Sequence, residues 1–267
     1  MQNDLVLFER PVDHVALITI NRPEKRNSMS EHTRRAMIDA WLKFKDDPDL
    51  WVAILTGAGD LAFSAGNDLR EISTGLPDDD WQAPVRDSHT VAMAAMRGLE
   101  IKKPVIAAVN GYCFGAAFAV ALACDVRLCS PNATFGCTEV KFSHMAGGGQ
   151  ATRLARFIPM GPAMELALTG EAVDADTALR WGLVNRVVPQ AQLVPEALEL
   201  AKRMCIAGPD LLSETKDFMY QSQGLSLENA LYIEGIYYDR IRNSPRYEQG
   251  TKQFVKNRDA HVPSTSI

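Results

Sequence analysis

The stretch "VNGYCFGAAFAVALACD", Val109–Asp125, decides the fold. It reads as the end of a strand, a glycine turn and a helix made almost wholly of small and apolar residues. A helix that is apolar on every face is a buried one. Its start is Gly115-Ala116-Ala117. Backbone N–H groups at a helix start lack internal partners and lie at the positive end of the helix dipole. Small residues there let a ligand approach those groups closely. No functional side chain follows on the helix.

Outward from this stretch, "KPVIAAVNG" (103–111) holds the short continuous apolar run of a strand covered on both faces. Upstream, "HVALITI" (14–20) and "WVAILTG" (51–57) read as strands; downstream, "DVRLCS" and "ATFG" suggest two more. Ser30 is placed to cap a helix across "EHTRRAMIDAWLKF", where Ala36, Met37, Ala40, Trp41 and Phe44 fall at helical spacing. An acidic segment near 76–84 precedes a helix around 88–98. Strand, loop and helix recur, which predicts an α/β fold with a largely parallel sheet. From Gly147 onward the pattern is mostly helical. Asp174 is placed to cap "ADTALRW", which stops at Gly182 before the short strand "LVNRVV". In "LENALYIEGIYYDRIR" apolar residues lie on more than one face, so either the core or another subunit covers that helix.

The totals narrow the function. With 267 residues the chain suffices for one large α/β domain or a core domain with a small appendage. A formal net charge of −5 argues against a general phosphate-backbone binder. The five cysteines (113, 124, 129, 137 and 205) form no C-x-x-C pair and sit mostly in apolar runs, as reduced thiols of a cytosolic protein do. The amino terminus carries charges early and has no apolar core of a secretory signal. The longest small and apolar run, Phe114–Cys124, is far short of the ~20 residues that span a bilayer. A cytoplasmic protein is expected, with neither a membrane nor a nucleic acid as partner.

Several familiar chemistries lack their motifs. There is no phosphate-cradling G-x-x-x-x-G-K-[ST], no G-x-S-x-G elbow, no H-E-x-x-H and no Cys/His cluster with zinc spacing. "GAGDLAFSAG" lacks the G-x-G-x-x-G spacing of a dinucleotide loop. The expectation is an activity without a tightly bound metal or nucleotide.

Two loops share a design, "FSAGNDL" after the second strand and "NGYCFGAAF" after the third. Each sets an alanine beside a glycine at or near a helix start. Donors from both loops converging on one oxygen would form an oxyanion hole, each donor worth about 3 kcal/mol of transition-state stabilisation. Taken singly, either loop is better read as a close-packed turn. Together, the segments "NRPEKRNSMS" (21–30), "AFSAGNDLREI" (62–72), "KPVIAAVNGYCFGAAFAVALACDVRL" (103–128), "ATFGCTEVKF" (133–142), "GGGQATRLARFIP" (147–159), "LTGEAVDADTALRWGLVNRVV" (168–188) and "EQGTKQFVKNR" (248–258) are similar to the crotonase (enoyl-CoA hydratase/isomerase) superfamily, in family order over nearly the whole chain.

The resemblance implies a crotonase-like spiral of ββα units over residues 1–200 and a helical trimerisation region over 201–267. It implies a homotrimer or a dimer of trimers, and an acyl-CoA thioester as ligand, with coenzyme A arriving as part of the substrate. The oxyanion donors would be the N–H groups of Ala65 and Ala116. The loop Ala65-Gly66-Asn67-Asp68 would run along the pantetheine, with Lys25 and Arg26 toward the adenine. Phe254 and Lys256 match a carboxy-terminal segment that in relatives approaches CoA, sometimes across subunits. Water-adding members of the family hold a water between two glutamates. One falls here on Glu139 in "FGCTE" and the other on Ala119, so one of the two is missing. Glu139, desolvated against Phe135 and Cys137, would have the raised pKa that a base for α-protons needs.

This single-glutamate arrangement resembles two branches, the Δ3,Δ2-enoyl-CoA isomerases and the hydroxycinnamoyl-CoA (feruloyl-CoA) hydratase-lyases. "GYCFGAAF" and "EQGTKQF" are similar to the lyases' "GWCFGGGF" and "EQGMKQF", which puts Tyr232 at the place of a lyase tyrosine; packing by Tyr232 is an equal reading. His144 and His89 are further candidates for an acid, each as well explained structurally. A hydratase or hydratase-lyase is expected first and an isomerase second. A catalytically silent acyl-CoA binder is the alternative from another class.

Overall fold

The computed structural model describes residues 5–73 and 90–259. Its first element is a hairpin, β1 (Val6–Val12) antiparallel to β2 (Val15–Ile20), turning through Asp13 and His14. His14 has a left-handed φ of 65° and its ring stacks on Trp51, with centroids 3.5 Å apart. Strand β1 carries exposed Glu9, Arg10 and Pro11, so its sequence shows no buried-strand pattern. Ser30 caps α1 (Glu31–Asp46), its hydroxyl accepting the Thr33 N–H at 3.2 Å. Met37, Ala40, Trp41 and Phe44 form the buried stripe of α1.

Three successive units then repeat one plan. β3 (Val52–Gly57) leads to β4 (Ala62–Ser64) and α2 (Leu69–Ser73). β5 (Val105–Val109) leads to β6 (Tyr112–Phe114) and α3 (Ala116–Ala123). β7 (Val126–Cys129) leads to β8 (Thr134–Gly136) and a 3-10 turn over Thr138–Phe142. The first strand of each unit joins a six-stranded sheet of order β1-β2-β3-β5-β7-β10, and the second joins a four-stranded sheet of order β4-β6-β8-β9. Pairing is parallel throughout except at the two edges, β1–β2 and β8–β9. Asn110 fixes one corner between the sheets. Its side chain accepts from Gly57 N and donates to the Gly57 and Gly59 carbonyls at 2.9 and 2.7 Å.

The short strands β4 and β6 fall inside stretches whose sequence reads as glycine loops. Three residues are too few to show an alternating pattern. Helix α3 is buried from Ala116 through Leu122, as its all-apolar sequence requires. Phe118 on α3 meets Phe135 on β8 with ring centroids 5.8 Å apart. Cys113, Cys124, Cys129 and Cys137 are buried free thiols.

Further along lie α4 (Gln150–Phe157), α5 (Met160–Thr169), β9 (Val173–Asp174), α6 (Ala175–Arg180), β10 (Arg186–Val187) and α7 (Leu193–Cys205). Asp174 Oδ1 accepts the Thr177 N–H at 2.8 Å and so starts α6. The structure divides into two compact units, the second beginning at Ile206. That second unit comprises α8 (Pro209–Gln221), α9 (Leu227–Arg242) and α10 (Pro245–Asp259). Within it the Tyr237 hydroxyl donates to Asp217 at 2.8 Å, holding α9 against α8. No residue of α9 is buried, and Leu227, Leu231, Tyr232, Ile236 and Tyr238 are exposed along it. Among the described residues no helix is long and apolar enough to cross a membrane.

Candidate active site

The loop between β4 and α2 is held by the loop before α1. Ala65 N–H donates to the Arg26 carbonyl at 3.0 Å, Met29 N–H to Gly66 O at 2.8 Å, and Asp68 N–H to Met29 O at 3.1 Å. Gly66 N–H turns back onto Ser64 Oγ at 3.1 Å. These bonds correct the expectation for Ala65. Its N–H is already committed to a carbonyl and is not available to a substrate oxygen. Asn67 N–H makes no hydrogen bond among the described residues, and it is the open donor of this loop.

Gly115 has a φ of +56° and precedes α3, whose first N–H, on Ala116, has no internal acceptor. The two loops touch. A Cβ on Gly66, whose φ is +90°, would lie 2.6 Å from the Phe114 carbonyl and 3.4 Å from Ala116 N. Glycine at 66 therefore lets the Asn67 and Ala116 amides share one small region.

Glu139 lies beside the same turn. A Cβ on Gly115 would be 3.4 Å from Glu139 Oε1. The other carboxyl oxygen, Oε2, is buried and has no hydrogen-bond partner among the described residues. Burial raises the Glu139 pKa above the ordinary carboxylate value of 4.5. Its own backbone N–H, the charge of His144 and the nearby Gln150 amide oppose that rise without cancelling it. Burial next to Glu139 also pushes the Cys137 thiol up to about 12, so that group stays protonated. Ala119 is wholly buried and brings no second carboxylate.

The remaining expected residues fall elsewhere. Lys25 and Arg26 are exposed, with the Arg26 guanidinium 5.8 Å from the Tyr112 ring centre. Asp68 pairs with Arg22 at 3.3 Å, and Asn67 Oδ1 accepts from Arg34 at 3.4 Å. Tyr232 on α9 and Lys256 on α10 are exposed residues of the second unit, and Phe254 belongs to α10. His144 is exposed, its ring 2.7 Å from the Phe142 carbonyl. His89 lies outside the described residues, as do most of residues 73–95. Two groups escaped the sequence reading, the Asn67 amide and Gln150. Asn67 shares its loop with Ala65, and only the pairing with Arg26–Met29 tells their amides apart. Gln150 ends a glycine run, which reads simply as a helix start. Among the described residues no group of three or more His, Cys, Asp or Glu could hold a metal ion.

A spiral of ββα units here sets a desolvated carboxylate beside the turn that opens α3, and packs the loop of Gly66 and Asn67 against that same turn. Residues 11–264 match the family described as enoyl-CoA hydratase/isomerase, and the chain belongs to that family. It is 35% identical to (E)-benzylidenesuccinyl-CoA hydratase of Thauera aromatica, over 92% of this chain and 94% of that protein. It is 37% identical to carnitinyl-CoA dehydratase of Salmonella enteritidis PT4, over 91% and 92%. Among solved structures it is similar to an enoyl-CoA hydratase from Bacillus anthracis, with a TM-score of 0.89, 29% identity and coverage of 95% and 96%. The enoyl-CoA hydratase EchA1 from Mycobacterium marinum gives 0.82, with 33% identity and coverage of 96% and 97%. The fold expected from the sequence is the one observed.

Proposed function

We propose that the protein is a hydratase or dehydratase of CoA thioesters that works through an enolate. The observation that carries this is the placement of the Glu139 carboxyl against Gly115, next to the open Ala116 amide. The Asn67 and Ala116 N–H groups would bind the thioester oxygen and stabilise the negative charge it gains in the enolate. Fixed donors in a water-poor site suit that task because they need no reorganisation during the reaction. Glu139, its pKa raised by burial, would exchange a proton with the α-carbon. Relatives named for hydration and dehydration of CoA thioesters support this direction.

Lys25 and Arg26 would meet the adenine end of CoA, and residues 65–68 the pantetheine. Phe254 and Lys256 would contribute from the second unit in a trimer or dimer of trimers. No cofactor beyond the CoA of the substrate enters this scheme. Tyr232 as a hydratase-lyase acid rests on the local likenesses at 111–118 and 248–254 alone. Isomerisation is the second reading, favoured by Ala119: one carboxylate suffices to move a proton between carbons.

The test is the loss of enoyl-thioester absorbance with crotonyl-CoA and 4-hydroxycinnamoyl-CoA, using native protein and Glu139→Gln. The expected result is loss with at least one substrate, abolished by the substitution. No loss with either substrate would sink the hydration reading for them and leave isomerisation in front.

A further inference from the structure

A buried polar group without a partner costs roughly 1–3 kcal/mol, so such groups are rare unless they serve a ligand. Among the described residues, Glu139 Oε2 and both amide atoms of Gln150 are buried without a partner. Gln150 is wholly buried and is the first residue of α4. Its amide is near enough to Glu139 to favour the ionised carboxylate, yet no bond is made through Oε2, Nε2 or Oε1. Two positive-φ glycines, Gly148 and Gly149, turn the chain into this helix, which packs on α3. A Cβ on Gly148 would lie 3.3 Å from the Ala119 methyl. The turn that leads into Gln150 thus lies beside the position where a second carboxylate is absent.

We propose that Gln150 holds the reacting water together with Glu139, replacing the group that Ala119 cannot supply. This rests on the hydratase reading. A bound water needs two to four polar partners, and a carboxylate with a primary amide offers both acceptors and donors. The amide is neutral and takes no proton, so Glu139 performs both transfers. One water O–H bond breaks and its proton goes to Glu139. The water oxygen bonds to the β-carbon while the π electrons move to the thioester oxygen. The resulting enolate takes the Glu139 proton at the α-carbon. The sum is addition of one water, with Glu139 restored.

The test separates water handling from enolate formation. Hydration of crotonyl-CoA and 4-hydroxycinnamoyl-CoA is measured beside deuterium exchange at the α-carbon of butyryl-CoA, which needs no water nucleophile. For Gln150→Leu, hydration should fall about 10²–10³-fold while exchange stays within about threefold of native. Gln150→Glu should retain hydration within about tenfold, because it keeps a polar partner for the water. If Gln150→Leu does not fold, Gln150→Asn, one methylene short, should show the same split. Native hydration in Gln150→Leu, or an equal fall of both reactions in every variant, would overturn the proposal. Native protein that exchanges the α-proton but hydrates neither substrate overturns it too and leaves the enolate reading standing. Native protein that does neither removes both.

Discussion

Replacing Gly66 by alanine tests the meeting of the two loops without touching any ionisable group. The backbone there is left-handed, at φ +90°, which costs alanine on the order of 1–2 kcal/mol. The added methyl would lie 2.6 Å from the Phe114 carbonyl oxygen, whereas ordinary contact begins near 3.4 Å. One loop must therefore give by about 0.8 Å. Phe114 is the residue before Gly115 and Ala116, so that displacement separates the Asn67 and Ala116 amides. A misplacement of about 1 Å can cost roughly 10²-fold in rate, and loss of one oxyanion donor about 10²–10³-fold. The expected outcome is a kcat for hydration lowered about 10²-fold, with KM changed only a few-fold and a lower melting temperature. Steady-state kinetics by enoyl-thioester absorbance, run beside thermal melting, measures all three. A Gly66→Ala protein with native kcat would refute the convergence of the two amides.

Two further outcomes concern stability. Burial holds the Glu139 pKa above 4.5, so the folded state binds this proton more tightly than the unfolded chain. Its contribution to stability is then present below pH 4.5 and is lost as pH rises through the folded value. Glu139→Gln should therefore melt higher than native protein at pH 8 and lose that advantage at pH 4; an equal difference at both pH values would contradict the burial argument. Asn27 is wholly buried, accepts from Arg22 N at 2.9 Å and donates to the Ala58 and Ala62 carbonyls at 2.9 and 2.8 Å. Asn27→Ala strands these groups at a left-handed position and should cost about 2–5 kcal/mol in urea unfolding. A loss under about 0.5 kcal/mol would show that those groups find other partners.

The long apolar runs were legible because each fills a place that only such a run can fill. β3 and β5 are buried along their whole length, and α3 is buried on all sides. Local chemistry also placed Ser30 and Asp174, since a cap depends on residues three apart. The three-residue strands β4 and β6 were hidden, because only their partners in the second sheet define them. The site divides along the same line. As candidates, Glu139 and Ala116 follow from a family motif and a helix start. The choice between the Ala65 and Asn67 amides depends on bonds to Arg26 and Met29, nearly forty residues away. The burial of Gln150 depends on the packing of α4 on α3, which no local pattern around it announces.

In the proposed reaction Glu139 moves a proton at the α-carbon of a thioester whose oxygen the Asn67 and Ala116 amides hold. Deuterium incorporation at the α-carbon of butyryl-CoA, followed by mass spectrometry for native protein and Glu139→Gln, addresses it most directly. Native protein should incorporate deuterium catalytically, and the variant should be slower by at least about 10²-fold. Incorporation at the native rate by Glu139→Gln would contradict the assignment of that carboxylate as the base.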